Sequence, residues 1–310
     1  DARRFGVKEV AVERKGNLRQ LLFRYGYHFI SLVTIVVFML LGFTAILAVF
    51  WSTVIVFALS FIRRETALTP GKLLDALRKG TVDVLSVAAT CAGAGIIIGV
   101  VTLTGLGLQF SSIILQLAGG SLVVTLIYTA FVLWVIGLAV PVTGTYIIAV
   151  AITAPALIKL GIPDYAAHMF IFYYAVLAEV TPPTALNAFA AAALTGGDPY
   201  KTTMMSWKYT LPAFVVPFMF TSHENGIGLL LKGSWSNILV TNLTAFIGIG
   251  VLAAGICGWL IRRTTAVERI LLIVAGAILV YPSSVADVLG TALAAAVALW
   301  QWRSRGRSTS

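Results

Sequence analysis

Charged side chains are scarce in this sequence. Asp, Glu, Lys and Arg make up 11% of the 310 residues, hydrophobic residues make up 59%, and the mean hydropathy is +0.96. In soluble domains about a quarter of the residues are charged. So few charges cannot cover the surface of a water-soluble fold, and the composition therefore excludes an ordinary soluble domain and predicts an integral membrane protein.

Cysteine and histidine are also rare, with two and three residues. Cys91 and Cys257 lie far apart in apolar segments, without the paired spacing of a zinc or redox motif. The sequence has no metalloprotease helix motif, no phosphate-binding glycine-lysine loop and no nucleophile–histidine constellation. These absences predict that the protein is not an enzyme and needs no organic cofactor.

Apolar runs recur along most of the chain, each close to the ~20 residues with which a helix crosses a bilayer. The predicted fold class is therefore an all-α polytopic membrane protein. Lys and Arg lie mostly between these runs, so the net charge of +10 indicates membrane topology and predicts no binding of nucleic acid. By the positive-inside tendency, residues 1–27 are predicted to be a basic cytoplasmic lead-in.

Residues 28–80 are predicted to contain two short scaffold spans that turn at Gly42-Phe43-Thr44, with a single tilted helix over residues 28–62 as the alternative. An amphipathic interfacial helix is predicted from Leu68 to Lys79. A separate span rich in small residues should then follow from Thr81 to Val101.

Glycines delimit a short apolar helix predicted at residues 108–118. It cannot cross a bilayer, so a re-entrant or interfacial element is expected, which requires burial in protein or contact with a water-filled cavity. A span is predicted after it, from Leu122 to Leu138.

The carboxy-terminal region, residues 223–310, is predicted to hold further spans and a basic tail. The segment that Asp198 caps should begin in the cytoplasm, and the weakly charged loop from Thr221 to Trp235 should lie outside. Arg262-Arg263 marks the next return to the cytoplasm. Two short spans should follow, turning at residues 281–284.

Two interruptions in the apolar sequence are the strongest functional signals. In GLAVPVTGTY (Gly137–Tyr146) and EVTPPTALN (Glu179–Asn187), prolines remove backbone donors and disfavour helix in the preceding residues. Half-helix amino termini attract anions, whereas freed carbonyls and hydroxyls coordinate Na⁺. The candidate substrate- and ion-binding residues are Gly137, Pro141, Thr143, Thr145, Thr181, Pro182, Pro183, Thr184 and Asn187.

Na⁺ is predicted to bind backbone carbonyls near Gly137 and Thr181. The alternative interpretation is two proline kinks whose hydroxyls bond their own helices. Glu179, a costly carboxylate near membrane depth, is a possible coupling residue for protons or cations. Its alternative is a water-exposed position without a specific role.

Three stretches give the sequence a specific resemblance. GLGLQFSSIILQLAGG, PALIKLGIPDYAAHMFIFYYAVLAEVTPPTALNAFAAAALTGGDPYKT and LPAFVVPFMF resemble the large permease subunit of tripartite ATP-independent periplasmic (TRAP) transporters. The likeness is greatest to the fused permeases that work with TAXI-type binding proteins. It covers residues 105–220 strongly and extends weakly back to the lead-in.

The resemblance implies an elevator-type secondary transporter of the bacterial inner membrane, driven by Na⁺, that takes up a small organic acid. Such permeases consist of inverted repeats with broken helices and re-entrant hairpins. Residues 81–222 would form one such transport-domain repeat. We therefore expect the chain to be the carboxy-terminal half of a longer permease.

The resemblance also implies partners and site residues. The partners are a periplasmic solute-binding protein, a small membrane subunit or its fused equivalent, the amino-terminal half of the permease, and the lipid bilayer. Thr181, Pro182, Pro183 and Asn187 match the family pattern. At the first interruption Pro141, Thr143 and Tyr146 match, whereas Val142 and Gly144 depart from the common GMGLPTTAAY-like run. A membrane scaffold or accessory subunit that binds no solute is the alternative function.

Overall fold

The structure, a computed structural model, describes residues 22, 25–62, 66–183 and 185–305. Most of the predicted lead-in, the end of the basic tail and Thr184 lie outside these residues. The chain divides into two compact units between Val84 and Leu85.

A pair of helices lies in the described part of the first unit. After a 3₁₀ turn at Gly26–Phe29, α1 (Ile30–Leu40) and α2 (Ala45–Ser60) are joined by a turn in which Gly42 has a φ of 89°. This left-handed conformation suits glycine. The Ser52 hydroxyl donates to the Ser31 carbonyl at 2.8 Å and so ties the two helices together. The predicted turn is confirmed, and the single-helix alternative is wrong.

Helix α3 (Pro70–Thr104) is one continuous helix of 35 residues. The prediction of an interfacial helix separate from the following span was therefore wrong. The sequence between them, Lys79-Gly80-Thr81, contains no proline. A single glycine costs a helix only about 1 kcal/mol relative to alanine, which is too little to interrupt it.

The second unit continues with ten further helices over the described residues. They are α4 (Leu106–Leu117), α5 (Leu122–Gly137), α6 (Val142–Lys159), α7 (Asp164–Ala178), α8 (Leu186–Thr195), α9 (Pro199–Thr210), α10 (Val216–Thr221), α11 (Trp235–Cys257), α12 (Ala266–Val280) and α13 (Ser284–Arg305). Short 3₁₀ helices occur at Leu211–Val215 and Glu224–Leu230. No β-strand occurs among the described residues, which confirms the all-α prediction.

Four of the described helices are long and apolar enough to cross a membrane: Pro70–Thr104, Val142–Lys159, Trp235–Cys257 and Ser284–Ser304. Several others are equally apolar but shorter, including α4 and α5. This pattern confirms a polytopic membrane protein with some helices too short to span by themselves.

Helix α4 is the predicted short helix, and α5 follows it where the span from Leu122 to Leu138 is predicted. Gly105, with a φ of 68°, separates α4 from α3, and Gly119-Gly120 ends it. The Ser111 hydroxyl is fully buried and donates to the Ile152 carbonyl of α6 at 2.7 Å. Helix α4 is thus buried in protein along one side, although its re-entrant placement stays a prediction.

The apolar core of the second unit lies among α5, α6 and α7. Leu126, Leu133, Leu157, Phe170 and Ile171 are all fully buried there. The Asp198 carboxylate caps α9 by accepting from the Lys201 amide at 2.7 Å, as predicted.

The apolar run after Asp198 is not one span. The chain passes from α9 through a 3₁₀ turn into the six-residue α10. Pro212 and Pro217 lie at the starts of these two short elements. Proline has no amide hydrogen to donate to the preceding turn of a helix. Pro212 and Pro217 therefore interrupt the helix.

Helix α12 packs antiparallel against both α11 and α13, with glycines at the contacts. A Cβ on Gly248 of α11 would lie 2.8 Å from Leu279 Cβ, and one on Gly276 of α12 would lie 2.9 Å from the Leu252 backbone. Because glycine has no side chain, the helix backbones can approach closely at these positions, as small residues allow at helix interfaces in membranes.

We predict that Gly276→Ala destabilises the protein by roughly 1–3 kcal/mol, because its methyl group would overlap the backbone of α11. Thermal unfolding in detergent measures this effect. Gly250→Ala is the matched control, since a Cβ there meets nothing within 4 Å. It should be neutral or stabilising by up to about 1 kcal/mol. Equal melting temperatures for the two variants would contradict the packing described.

A buried polar network closes the arginine-rich end of these three helices. Gln301 is fully buried; its amide donates to Glu268 Oε2 at 3.0 Å and its oxygen accepts from the Ile261 amide at 3.1 Å. The Arg262 guanidinium pairs with Glu268 Oε1 at 2.6 Å, and Thr265 completes a capping box with Glu268.

This network sets the pKa of Glu268. Burial raises the pKa, but the bonds from Thr265 and Gln301 and the charge of Arg262 outweigh it and hold the pKa below its ordinary value. A carboxyl with a lowered folded-state pKa stabilises the fold above its unfolded pKa, and loses that contribution as the pH falls through the folded value.

We predict that Glu268→Gln costs about 1–3 kcal/mol at neutral pH, since Arg262 and the Thr265 amide lose a charged acceptor. The difference in melting temperature between the wild type and Glu268→Gln should decrease as the pH falls below about 4.3, the ordinary pKa of glutamate. The exposed Glu224→Gln serves as the control. A gap independent of pH between 7 and 3 would contradict this account.

Candidate functional site

The first interruption separates α5 from α6 at Leu138–Val140, and Pro141 is the residue before α6. A continuing helix would bond the amide of residue 141 to the Gly137 carbonyl, but proline has no amide hydrogen to give. The Thr145 amide and hydroxyl instead bond the Pro141 and Val140 carbonyls at 2.9 and 2.8 Å. The Gly137 carbonyl therefore has no helical donor.

The second interruption separates α7 from α8. After Ala178 the chain turns through Glu179, Val180 and buried Thr181 into Pro182 and Pro183, which are joined by a cis peptide bond. Glu179 keeps a backbone connection across the break, because its carbonyl accepts from the Asn187 amide at 3.4 Å. The break is thus braced by backbone bonds.

The structure brings the two interruptions together. A Cβ on Gly137 would overlap Ala178 Cβ and would lie 3.7 Å from Thr145 Cγ2. The end of α5, the start of α6 and the end of α7 therefore meet at one place. Among the described residues no hydrogen bond joins one break directly to the other, so this contact is made by apolar packing.

Both buried threonine hydroxyls bond the backbone close to them. Thr145 donates to the Val140 carbonyl at 2.8 Å, and Thr181 donates to the Leu177 carbonyl at 2.7 Å. This agrees with the hydrogen bonding of the proline-kink alternative. A hydroxyl that donates its single proton nevertheless keeps lone pairs, which can face a cation.

Glu179 and Asn187 form a polar contact at the edge of the second break. The Asn187 amide donates to Glu179 Oε2 at 3.1 Å, which ties the end of α7 to the start of α8. Glu179 is partly exposed and Asn187 is exposed. The carboxylate is therefore hydrogen-bonded, which lowers the cost of its position.

The remaining predicted residues are less closely involved. Thr143 and Pro183 are exposed, and Pro182 is partly buried. Thr184 lies outside the described residues, so its place in the site stays a prediction.

Two features were not apparent from the sequence. Buried Ala185 precedes α8 with a φ of 31°, which is unusual for a residue with a side chain and is often found near functional sites. The Tyr146 hydroxyl bonds His168 Nδ1 at 2.8 Å and links α6 to α7. In the sequence, Tyr146 and His168 lie 22 residues apart and share no motif, so only a weak signal indicated that they would form a pair.

Comparison with known proteins identifies the family. The model of the DctM component of tripartite ATP-independent periplasmic transporters matches residues 2–225, which include both interruptions. The chain belongs to this family. No similar protein was found among curated sequences or among solved structures.

As a member of the DctM family, the chain is a multi-pass membrane permease component of a TRAP transporter. This family is one of transporters, in line with the prediction that the chain is not an enzyme. TRAP permeases of this family generally work with a periplasmic binding protein and a small membrane subunit. The matched range ends at residue 225, before α11 begins.

We predict that Gly137→Ala separates α5 from α7 and lowers transport by the complete permease, because its methyl group would collide with Ala178. The expected cost in stability is roughly 1–3 kcal/mol, measured by thermal unfolding beside uptake. Gly99→Ala in α3 is the control, since a Cβ there meets nothing within 4 Å. Normal uptake by the Gly137 variant would show that the breaks need not touch.

Proposed function

We propose that this DctM permease is a Na⁺-coupled importer of a small organic acid, which a periplasmic binding protein delivers at the bacterial inner membrane. The observation that carries the proposal is the meeting of the two interruptions at Gly137 and Ala178. Broken helices that meet within a bundle form the usual binding sites of secondary transporters.

Donors for an anionic substrate come from the helix amino termini. The amides of Val142, Thr143 and Gly144 begin α6 and have no carbonyl one turn earlier to accept them within the helix. Helix α8 begins at the other break with Leu186. These amino termini carry partial positive charge and favour a carboxylate.

Acceptors for Na⁺ come from neutral oxygens at the same place. The Gly137 carbonyl lacks its helical donor, and the Thr145 and Thr181 hydroxyls keep lone pairs after donating to the backbone. Neutral carbonyl and hydroxyl oxygens suit a monovalent hard cation. Glu179, held by Asn187, would respond to ion binding by a change in its contact with α8.

The remaining proposal concerns assembly. This chain would supply one inverted repeat of an elevator-type transporter. The amino-terminal half of the permease would supply the other repeat, and a small membrane subunit or its fused equivalent would complete the membrane complex. We therefore expect transport only from the complete assembly.

The test is substrate uptake in proteoliposomes that contain the complete permease and its cognate binding protein, with and without a Na⁺ gradient. In the double variant Thr181→Ala with Asn187→Ala, we expect gradient-driven uptake to fall by roughly tenfold or more, which corresponds to about 1.4 kcal/mol. Thr195→Ala, at the far end of α8, is the matched control and should transport normally.

Each other outcome has a distinct meaning. Normal uptake by the double variant would move the coupled site away from the second break. Uptake at the same rate with and without a Na⁺ gradient would refute the coupling of transport to Na⁺. No uptake by the wild-type assembly under any gradient would favour a scaffold or accessory role.

A further inference from the structure

A polar cavity lies at one end of the carboxy-terminal helices, mostly beyond the residues that match the DctM family. Its volume is about 260 Å³. The polar residues that line it include Asn225, Asn237, Thr241, Thr244, Ser284 and Asp287. They come from the 3₁₀ helix before α11, from α11 itself and from the start of α13, so none belongs to the two breaks.

Among the described residues that line the cavity, Asp287 is the one that is ionisable, and none is lysine or arginine. Its Oδ1 atom is shielded from solvent and has no hydrogen-bond partner among the described residues. Leaving a carboxylate oxygen unpaired away from water is costly, because burial removes its hydration without replacement. Asp287 has a hydrogen bond from the Thr244 side chain and lies in the first turn of α13, but no cationic side chain among the described lining residues pairs with it.

The other wall of the cavity holds more acceptors than donors. Asn237 and Thr241 lie one helical turn apart on α11. The Thr241 hydroxyl is 3.2 Å from both the Asn225 carbonyl and Asn237 Oδ1, yet it has one proton to give. The Asn237 side-chain amide is also occupied, since it donates to the Asn225 carbonyl at 3.2 Å. Oxygen lone pairs thus remain available.

We propose that this cavity binds an alkali-metal cation, with Asp287 supplying the charge and Asn237 and Thr241 supplying neutral oxygens. A single carboxylate balances a monovalent ion, whereas divalent sites such as those for Ca²⁺ generally use several carboxylates. The amino termini of α11 and α13 oppose a cation, because Asn237 and Asp287 lie in the first turns of these helices. Each amino terminus carries only a partial positive charge, whereas the Asp287 carboxylate carries a full negative charge in direct contact with the ion.

The charges of the helix bundle indicate the side of the membrane. Arg263 and Arg303 are exposed at the end opposite the cavity, beside exposed Trp259 and Trp300. By the positive-inside tendency, that end faces the cytoplasm. At the cavity end, Trp235 and Tyr281 are exposed, and the described residues that line the opening include no arginine. The proposed site therefore opens to the outer side.

The experiment uses the complete permease with Ser284→Cys in a background in which Cys91 and Cys257 are replaced by serine. Ser284 is exposed and lines the cavity. A membrane-impermeant maleimide is added to right-side-out vesicles in choline, Na⁺ or K⁺ chloride at equal ionic strength. We expect labelling from outside, slowed in Na⁺ or K⁺ by the factor 1 + [cation]/Kd.

The variant Asp287→Asn should label at the same rate in all three salts, and Glu224→Gln, an exposed carboxylate outside the cavity, should keep the protection. If Asp287→Asn does not fold, Thr241→Val replaces it and should raise the cation concentration for half protection. Because the site is independent of the proposed transport site, protection should persist with Asn187→Ala.

Two results would overturn the proposal. One is equal labelling of the parent protein in choline, Na⁺ and K⁺. The other is protection that survives in a folded Asp287→Asn protein. A difference between the Na⁺ and K⁺ arms would identify which cation the site prefers.

Discussion

A peptide group in the hydrocarbon core of a bilayer finds no water to bond, and this constraint governs the arrangement of the helices. Wherever proline removes an amide hydrogen, the chain must satisfy the carbonyl it frees or use it for a ligand. At the second break, backbone amides reach back to the Ala178 and Glu179 carbonyls. At the first break the Gly137 carbonyl has no helical donor, so the two breaks are chemically unequal. We expect the first to contribute more to ion coordination.

The site depends as much on small residues as on polar ones. Gly137 lets α5 approach α7 so closely that no side chain larger than hydrogen fits at residue 137 beside Ala178. This contact joins the two breaks. The same device recurs in α11 and α12, where Gly248 and Gly276 admit the neighbouring helix. Dispersion between closely packed helices has to hold such structures together, because lipid offers no hydrophobic drive for helices to associate.

The carboxy-terminal helices combine a buried ionic network at one end with an acceptor-rich cavity at the other. The network gives both Gln301 and Glu268 hydrogen-bond partners, which suits a structural role. The cavity leaves Asp287 Oδ1 without a partner, which suits a ligand. These two acidic residues thus differ in their expected roles, because Glu268 is paired with an arginine and several amides, whereas Asp287 has only the Thr244 side chain and keeps Oδ1 without a partner among the described residues.

Much of this protein follows from its sequence alone. Hydropathy, the turn at Gly42, the short α4 and both interruptions follow from local chemistry, because proline, glycine and apolar length act within a few residues. Sequence did not predict the continuity of α3 through Gly80 or the breakage of the run after Asp198. The pairing of Gly137 with Ala178, and the orientation of Asp287 into a cavity between α11 and α13, were decided only by tertiary structure. These contacts join residues far apart in the chain, and side-chain packing between helices, which no local pattern records, determines them.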